Sequence, residues 1–446
     1  MKSNIRIYLI SALGLLLSTL FFGLLATWAF LYPEVYNKFL PFYQLRPFHV
    51  SAALFWIITG ATASILFYKN ETVAKGIKSS ALLETGFIVI WLSTIAAIFI
   101  CYGLKIFGGR EYWEFPPILC LPLLISWILL MFSFYVPLFK NTGKKPMYIW
   151  MWATGILFFL ITFVEQNLWQ IAWFRASYLK EITVQWKSNG AMVGAWNQMI
   201  YGTSLYLMVK ISGDETIAKG KTAFFFYMLG LTNLMFNWGH HIYNVPTASW
   251  IRDTSYVISM TEWVFLIRMI QSFKKTLEQR AKLRHLLTYR FIIAAEFWVF
   301  MNLLLTLSIS VPAINLYTHG THITVAHAMG ATIGINSMLL LASFTYMLKI
   351  DNLKGRVSKF LSFSYWVSQF SLGCFWIALI VAGFIKGYRT VENSKLNFQE
   401  IMEPVLKVMK VFSYAGVFLV ISIASIVIVY LYNAIKLKQY QTQIEI

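Results

Sequence analysis

Twelve long apolar runs, separated by short polar connections, dominate the chain. A helix needs about 20 apolar residues to cross a bilayer, and each run is at least roughly that long. We therefore expect an all-α, polytopic membrane protein of about 12 transmembrane helices, folded as one integral-membrane domain over residues 1–446. The runs lie at residues 7–32, 47–69, 80–104, 117–139, 147–168, 188–210, 222–244, 254–273, 289–314, 321–348, 360–386 and 409–435.

The composition supports a membrane protein, because 58% of the 446 residues are hydrophobic and only 12% are charged. A soluble domain does not need so much apolar surface. The net charge of +19 does not indicate nucleic acid, since the lysines and arginines lie mainly in short connections between the runs. Alternate connections are basic, and the positive-inside rule places them, with both termini, on the cytoplasmic side. There they would contact the headgroups of the lipid bilayer.

The N-terminus does not read as a signal peptide, and the cysteines do not form a disulfide or haem c motif. The basic N-terminus leads into an apolar run of about 25 residues, longer than a signal-peptide core, and we take it as the first span. The three cysteines, Cys101, Cys120 and Cys374, form no C-x-x-C pair and no C-x-x-C-H motif. The sequence therefore predicts no disulfide framework and no covalently attached haem c.

Seven histidines supply the candidate chemistry. His285 lies in a basic connection, where a solvated surface residue is expected. The other six lie within spans or near their outer ends, where an ionisable side chain is costly and indicates function. Neutral imidazole is a common ligand of transition metals and haem iron, although hydrogen bonding in a core would also suit a single buried histidine. The six are His49, His240, His241, His319, His322 and His327.

Two short spacings refine this view. His240 and His241 are adjacent, and neighbouring residues of an α-helix diverge by about 100°, so both reach one metal only from a flank or a distorted turn. Gly239 would permit such a turn. His327 and Met329, two residues apart, point to nearly opposite faces of a helix. One helix could then present a ligand to a cofactor on each side.

Four motifs carry a family resemblance over nearly the whole chain. They are R-P-F-H-V-S-A-A-L-F-W with His49, G-G-R-E-Y-W-E-F-P with Arg110 and Glu111, W-G-H-H-I-Y-N-V-P with His240 and His241, and Y-T-H-G-T-H-I-T-V-A-H with His327. Together they resemble the haem-copper oxidase superfamily, specifically the large subunit of bacterial nitric oxide reductase. The resemblance implies a subunit I-like bundle that forms a single catalytic domain in the cytoplasmic membrane of a bacterium.

The resemblance also implies the cofactors: two b-type haems and one non-haem metal, iron rather than copper. By this likeness His49 binds the low-spin haem and His327 is the axial ligand of the high-spin haem. His240 and His241 would bind the non-haem metal.

The loop of the second motif resembles the family's haem-capping loop. The resemblance implies that Arg110 lies at the haem and that Glu111 helps to hold a calcium ion. It also implies an electron donor, which would be a separate cytochrome c subunit or a quinol.

Several positions depart from the family pattern. The stretch L-M-V-K-I-S-G, residues 207–213, aligns the sixth helix and puts Asn189 where the family has a third metal-binding histidine. Val193 and Asn197 stand where the family has glutamates. Met329 stands where the family has the second histidine of the low-spin haem, and a thioether ligand would raise its reduction potential. Glu262 lies near the position of another family glutamate and could supply a carboxylate.

The implied activity is the reduction of two NO to N2O and water, with Asn189 or Glu262 completing the metal shell. The change at Asn189 also suits NO dismutase-like chemistry, which forms N2 and O2. Reduction of O2 is disfavoured, because Asn244 stands where oxidases of the main type have a tyrosine, and Tyr243 has the wrong spacing. A haem-binding sensor or assembly subunit without catalysis is the alternative from another class.

Overall fold

The computed structural model describes residues 3–74, 80–141, 143–243, 245–258, 261–393 and 395–444, without the side chains of Ser3, Glu262 and residues 437–444. These residues are mainly helical, and the one β-bridge among them pairs Arg110 with Trp113. The α-helices are α1 (Ser3–Leu31), α2 (Pro33–Tyr36), α3 (Phe42–Lys69), α4 (Ala81–Gly103), α5 (Cys120–Lys140), α6 (Met147–Glu165), α7 (Ala172–Arg175), α8 (Tyr178–Ser212), α9 (Thr216–Lys219), α10 (Lys221–Phe236), α11 (Ser249–Ile258), α12 (Glu262–Thr276), α13 (Gln279–Arg284), α14 (Leu286–Ser310), α15 (Pro312–Thr318), α16 (His322–Met329), α17 (Met338–Met347), α18 (Arg356–Glu392) and α19 (Phe398–Ile444).

Tighter and wider helical turns complete the chain. The 3₁₀ segments are Pro117–Leu119, Leu168–Gln170, Asn237–Ile242 and Ile350–Asn352, and Gly330–Ser337 is a π-helix. The π-helix continues α16 into α17, so one span contains a change of helical pitch close to His327. Short π segments inside α-helices occur frequently at functional sites.

The all-α prediction is confirmed. Within the described residues, nine helices are long and apolar enough to cross a membrane, and they coincide with nine of the predicted runs. The other three runs fall on α8, on α10 with the following 3₁₀ turn, and on α11 with α12. About 12 transmembrane helices is consistent with this arrangement.

Helix α8 shows why apolarity alone underestimates a span. All residues from Ala195 to Met208 are buried, around the full circumference of the helix. This stretch includes polar side chains such as Gln198 and Thr203, which lower its hydropathy. A helix buried on every side is surrounded by protein, so it tolerates polar groups that bond to neighbouring helices.

One compact unit consists of Met1–Ser11 and Ile57–Ala281. Here α6 packs along α8, α4 packs on α5, and α10 packs on both α8 and α12. Lys69 and Glu84 form an ion pair of 2.6 Å with almost no exposure of either side chain. Lys69 also donates to the Ser133 hydroxyl at 2.8 Å. The pair therefore ties together α3, α4 and α5.

The second compact unit consists of Ala12–Trp56 and Lys282–Ile446. Here α18 pairs with α19, and α16 packs closely on α18. A Cβ atom at Gly383 would lie 2.4 Å from the Ile323 nitrogen, and one at Gly387 would lie 1.7 Å from the Tyr317 carbonyl oxygen. Only glycine allows backbones to approach so closely, as in other small-residue helix contacts in membranes. The single catalytic domain over residues 1–446 stays a prediction.

Candidate metal and haem sites

The His240–His241 pair lies on the 3₁₀ segment Asn237–Ile242, between α10 and α11. The expected distorted turn is therefore present. A 3₁₀ helix is wound more tightly than an α-helix, and the two ring centroids are 3.9 Å apart. Gly239 is required at this turn, because a Cβ atom there would lie 2.8 Å from the Ile251 carbonyl oxygen.

The imidazole of His240 has a defined tautomer. Its Nδ1 lies within hydrogen-bond distance of the Asn237 carbonyl oxygen and 3.2 Å from the Asn237 side-chain oxygen. Both atoms can only accept, so Nδ1 carries the proton and Nε2 carries the lone pair. Ser255 donates to the same carbonyl at 2.7 Å and braces the segment from α11. This is the arrangement that orients a metal-binding histidine.

Helix α8 fixes the neighbouring ring. Trp186 stacks on His241, with ring centroids 5.0 Å apart and planes inclined by 14°. A Cβ atom at Gly190 would lie 2.6 Å from the Trp238 Cβ atom and 3.7 Å from the His241 ring. Residues 186 and 190 are one turn apart, so a single face of α8 contacts the histidine segment.

Asn189 lies on α8 next to Gly190 and is 1% exposed. Its side-chain oxygen accepts from Gln166 at 2.5 Å and from Gln185 at 3.3 Å. Gln166 in turn accepts a hydrogen bond from the Trp113 indole. These neutral polar side chains form a hydrogen-bonded chain that ends on α8, the helix that contacts His241 through Trp186. Gln166 and Gln185 are members of it that the sequence motifs did not indicate.

The carboxylate ligand predicted from the sequence, Glu262, lies on α12, which follows α11 in the chain. Glu262 is the first residue of α12, but its side chain lies outside the described residues, as does the whole of Asn244. Among the described side chains, no group of three or more His, Cys, Asp or Glu residues is arranged to hold a metal ion. The described donor set is therefore a pair of imidazoles.

Arg110 and Glu111 lie in the loop between α4 and α5. The Arg110 guanidinium contacts Glu181 at 2.7 Å and lies 4.2 Å from the centre of the Trp169 ring. The Glu111 carbonyl oxygen accepts from Gln185 at 3.4 Å. These contacts fasten the loop to the start of α8. The haem contact of Arg110 and the calcium contact of Glu111 stay predictions.

In the second unit, His49 lies against α1. Its Nδ1 is 2.9 Å from the Thr19 carbonyl oxygen, which can only accept, so Nε2 again carries the lone pair. A Cβ atom at Gly23, one turn after Thr19, would lie 2.7 Å from two atoms of the imidazole. Glycine thus provides the recess in which the ring lies.

His327 is oriented by two residues of α14. Asn302 donates to the His327 carbonyl oxygen at 3.0 Å, and the Thr306 hydroxyl lies 3.0 Å from His327 Nδ1. The single hydroxyl proton of Thr306 is donated to the Asn302 carbonyl oxygen at 2.7 Å. Thr306 therefore accepts from Nδ1, and the His327 lone pair lies on Nε2.

Met329 is the last residue of α16, immediately before the π-helix. Both His327 and Met329 lie on regular α-helix, so their side chains leave opposite faces as expected. Ser337 donates to the Thr332 carbonyl oxygen at 2.8 Å, five residues back, and accepts from Trp56 at 2.9 Å. The wider turn is thus held by α3, and the role of Met329 as a haem ligand stays a prediction.

The residues present fit the implied groups. His49, His240 and His327 each use Nδ1 to bond a protein oxygen, which leaves Nε2 in the form that binds haem iron or another metal. Gly23 and Gly239 clear the space that these histidines and their turns need. The chemistry of the donors is therefore that of haem and transition-metal sites.

Comparison with known proteins identifies the family of this chain. Residues 4–425 match the family described as "Cytochrome C and Quinol oxidase polypeptide I". The chain belongs to this family. The resemblance predicted from the four motifs is confirmed at this level, and so is the subunit I-like fold.

Individual members of the oxidase family show how far the likeness extends. A nitric oxide reductase subunit of Stutzerimonas stutzeri is 19% identical over 415 residues, which are 85% of this chain and 83% of that protein. Cytochrome c oxidase subunit 1 of Rhodobacter capsulatus is 21% identical over 380 residues, 79% of this chain and 69% of that protein. A heme-copper terminal oxidase dimer, solved by cryo-EM, superposes with a TM-score of 0.71, 13% identity and coverage of 97% of this chain and 84% of that chain.

The histidine partners are the residues that sequence reasoning missed. Thr306 and Asn302 are four residues apart in α14, so they share one helix face. Thr19 acts through its backbone carbonyl, which no side-chain pattern reveals. A buried polar pair at helical spacing is the signal that would have found the first two.

Proposed function

We propose that this oxidase-family protein is a membrane haem and non-haem metal oxidoreductase that reduces nitric oxide. The reaction consumes two NO, two electrons and two protons, and it releases N2O and water. The proposal rests on the shared geometry of His49, His240 and His327, together with the similarity to a nitric oxide reductase.

The protein's contribution is to orient the ligands. When bound, two b-type haems and a non-haem metal, iron rather than copper, would supply the redox chemistry. His49 and Met329 would hold the low-spin haem, His327 the high-spin haem, and His240 with His241 the non-haem metal. The Nδ1 contacts of His49, His240 and His327 keep these imidazoles in the tautomer whose Nε2 would bind a metal.

The third ligand of the non-haem metal distinguishes this chain from its reductase relatives. The sequence offers Asn189 and Glu262 for that position. Val193 and Asn197, on the same helix as Asn189, cannot deliver protons as carboxylates do. Glu262 would then supply a carboxylate near this site, with a role as a ligand or as a proton donor.

A second candidate is NO dismutase-like chemistry, in which two NO give N2 and O2. The observation that favours it is the chain of neutral side chains Trp113, Gln166 and Asn189, since the net reaction needs neither protons nor electrons. Oxygen reduction and a non-catalytic sensor or assembly role are the remaining alternatives, and the Rhodobacter capsulatus relative is named a cytochrome c oxidase.

Product analysis on the purified protein separates these functions. With isotope-labelled NO and an electron donor, we expect labelled N2O as the product. Labelled N2 with O2 would establish dismutation instead, and consumption of O2 without NO turnover would establish an oxidase. Two haems per chain with no non-haem iron or copper would exclude the catalytic proposals.

The proposal extends to location and partners. Multi-pass membrane insertion follows from the apolar helices and the family. We place the chain in the cytoplasmic membrane of a bacterium, with both termini cytoplasmic. A cytochrome c subunit or a quinol would supply electrons, and calcium at Glu111 with Arg110 would cap a haem.

A further inference from the structure

Asn189 has a side-chain orientation that its neighbours determine. The Trp113 indole nitrogen can only donate, so the Gln166 atom that it contacts must be the carbonyl oxygen. The other end of Gln166 is then the amide nitrogen, which donates to Asn189 at 2.5 Å. The atom of Asn189 that receives this bond must be Oδ1. The assignment of the Asn189 amide therefore follows from chemistry.

The Asn189 oxygen has no capacity left for a metal. A carbonyl oxygen has two lone-pair directions, and Oδ1 accepts from both Gln166 and Gln185. The amide nitrogen of Asn189, in contrast, is buried and has no hydrogen-bond partner among the described residues. A buried donor without a partner is destabilising, because it has lost its bonds to water and gained none in the protein. A hydrogen bond from this amide nitrogen to a bound ligand would remove that cost.

Asn189 also lies beside the histidine pair. Trp186, three residues earlier, stacks on His241, and Gly190, the next residue, abuts Trp238 and the His241 ring. Trp186 and Asn189 are three residues apart, so they share one face of α8. Asn189 thus lies on the side of α8 whose Trp186 contacts His241.

We propose that Asn189 acts as a hydrogen-bond donor to a small anionic or polar ligand bound at the His240–His241 metal, and that it supplies no bond to the metal itself. This inference rests on the proposed metal site. It leaves His240 and His241 as metal ligands, with Glu262 as the other ligand that the sequence offers, and it makes Gln166 the positioning residue that fixes the orientation of the Asn189 amide.

The test uses the full-length purified protein and two readouts that do not depend on turnover. The first is the ratio of non-haem metal to haem. The second is an infrared titration with azide, an anion that accepts hydrogen bonds. The azide band that is absent from the His240→Ala variant is assigned to azide bound at the non-haem metal. The matched control is Asn233→Leu, because Asn233 is a buried asparagine of the same unit whose amide donates within α10 to the Leu229 carbonyl oxygen.

For Asn189→Leu we expect the metal-to-haem ratio to stay within about twofold of wild type, while azide binding weakens about tenfold or more and its band shifts. Asn233→Leu should change neither quantity. Metal loss as severe as in His240→Ala would make Asn189 a ligand and overturn the proposal. Retained metal with unchanged azide binding would overturn it equally.

Asn189→Asp decides the question if the leucine variant does not assemble. It keeps the shape and the accepting oxygen but removes the N–H donor, so we expect retained metal with weakened azide binding. Tighter metal binding with unchanged azide binding would indicate direct ligation. Failure of NO turnover in the wild type, with both readouts as expected, would contradict the proposed function and leave the role of Asn189 intact.

Discussion

The two units support their histidines in different ways. In the second unit, His49 and His327 lie on regular α-helices, and each is oriented by one neighbouring helix through a backbone carbonyl or a threonine hydroxyl. In the first unit, His240 and His241 lie on a 3₁₀ turn that α8 and α11 hold from two sides.

The two pairs of histidines differ in how many neighbouring residues are needed to fix the position of each ring. A histidine on a long helix inherits its position from the helix, so one partner is enough to fix the ring. A histidine on a short 3₁₀ turn has no such frame, because its backbone bonds are few and poorly aligned. We therefore expect His240 and His241 to respond to changes at several packed residues, and His49 and His327 to respond mainly to their single partner.

The largest effect should come from His240 and His241, the proposed metal ligands. His240→Ala removes one of two described imidazole donors, and we expect the non-haem metal to be lost almost completely while both haems remain. The measurement is metal and haem content per chain. His285→Ala is the control, because His285 lies near Asp351 outside the spans and should leave both contents unchanged. Equal metal content in the two variants would contradict the assignment.

The partner of His327 is tested by Thr306→Val, which removes the acceptor while keeping the shape. Loss of an outer partner of a metal-binding histidine typically weakens metal binding about 10–100-fold. We expect a corresponding loss of high-spin haem. The measurement is the absorption of the bound haem as the purified protein is diluted. Ser308→Ala is the matched control on the same helix, since the Ser308 hydroxyl donates to the Leu304 carbonyl oxygen of its own helix. A loss of haem as large in this control would point to a general disturbance of α14.

The recess of His49 is tested by Gly23→Ala. The added Cβ atom would lie 2.7 Å from the imidazole, so the ring must shift, at a cost of about 1–3 kcal/mol. We expect an altered low-spin haem spectrum and a lower thermal midpoint. Gly14→Ala, on the same helix with nothing within 4 Å of the new atom, should keep the spectrum. If both variants behave alike, the recess has no part in positioning His49.

Met329→His should have the smallest effect on haem content, and it should change the reduction potential of the low-spin haem. If Met329 binds the low-spin haem, a second imidazole lowers the reduction potential of that haem, because His/Met coordination raises it. Haem content should stay at the wild-type level. Redox titration of the low-spin band measures the change. An unchanged spectrum and potential would show that Met329 serves only in packing.

The fold was largely predictable from residue order. Nine of the 12 apolar runs became helices of spanning length and composition within the described residues. The run at 222–244 shows where this reasoning reached its limit, because α10 ends at Phe236 and a 3₁₀ turn carries the histidines. A window of hydropathy does not register that turn, which depends on the close approach of Gly239 to Ile251.

The candidate ligands could be named from the sequence, whereas the residues that support them could not. Adjacent histidines and a histidine motif are visible in the sequence, because imidazole chemistry belongs to the residue itself. The role of Gln166 was not visible, since it depends on an indole 53 positions away donating to one end of its amide.

Residue order was enough to specify the apolar spans, the positions of the histidines and the replacement at Asn189, because hydropathy and donor chemistry are local properties. Tertiary structure alone decided which imidazole nitrogen carries the proton, which glycines clear a ring, and which end of the Asn189 amide is occupied. Each of these depends on an oxygen, a donor or an empty volume supplied by another helix, and residue order does not specify the distance between helices.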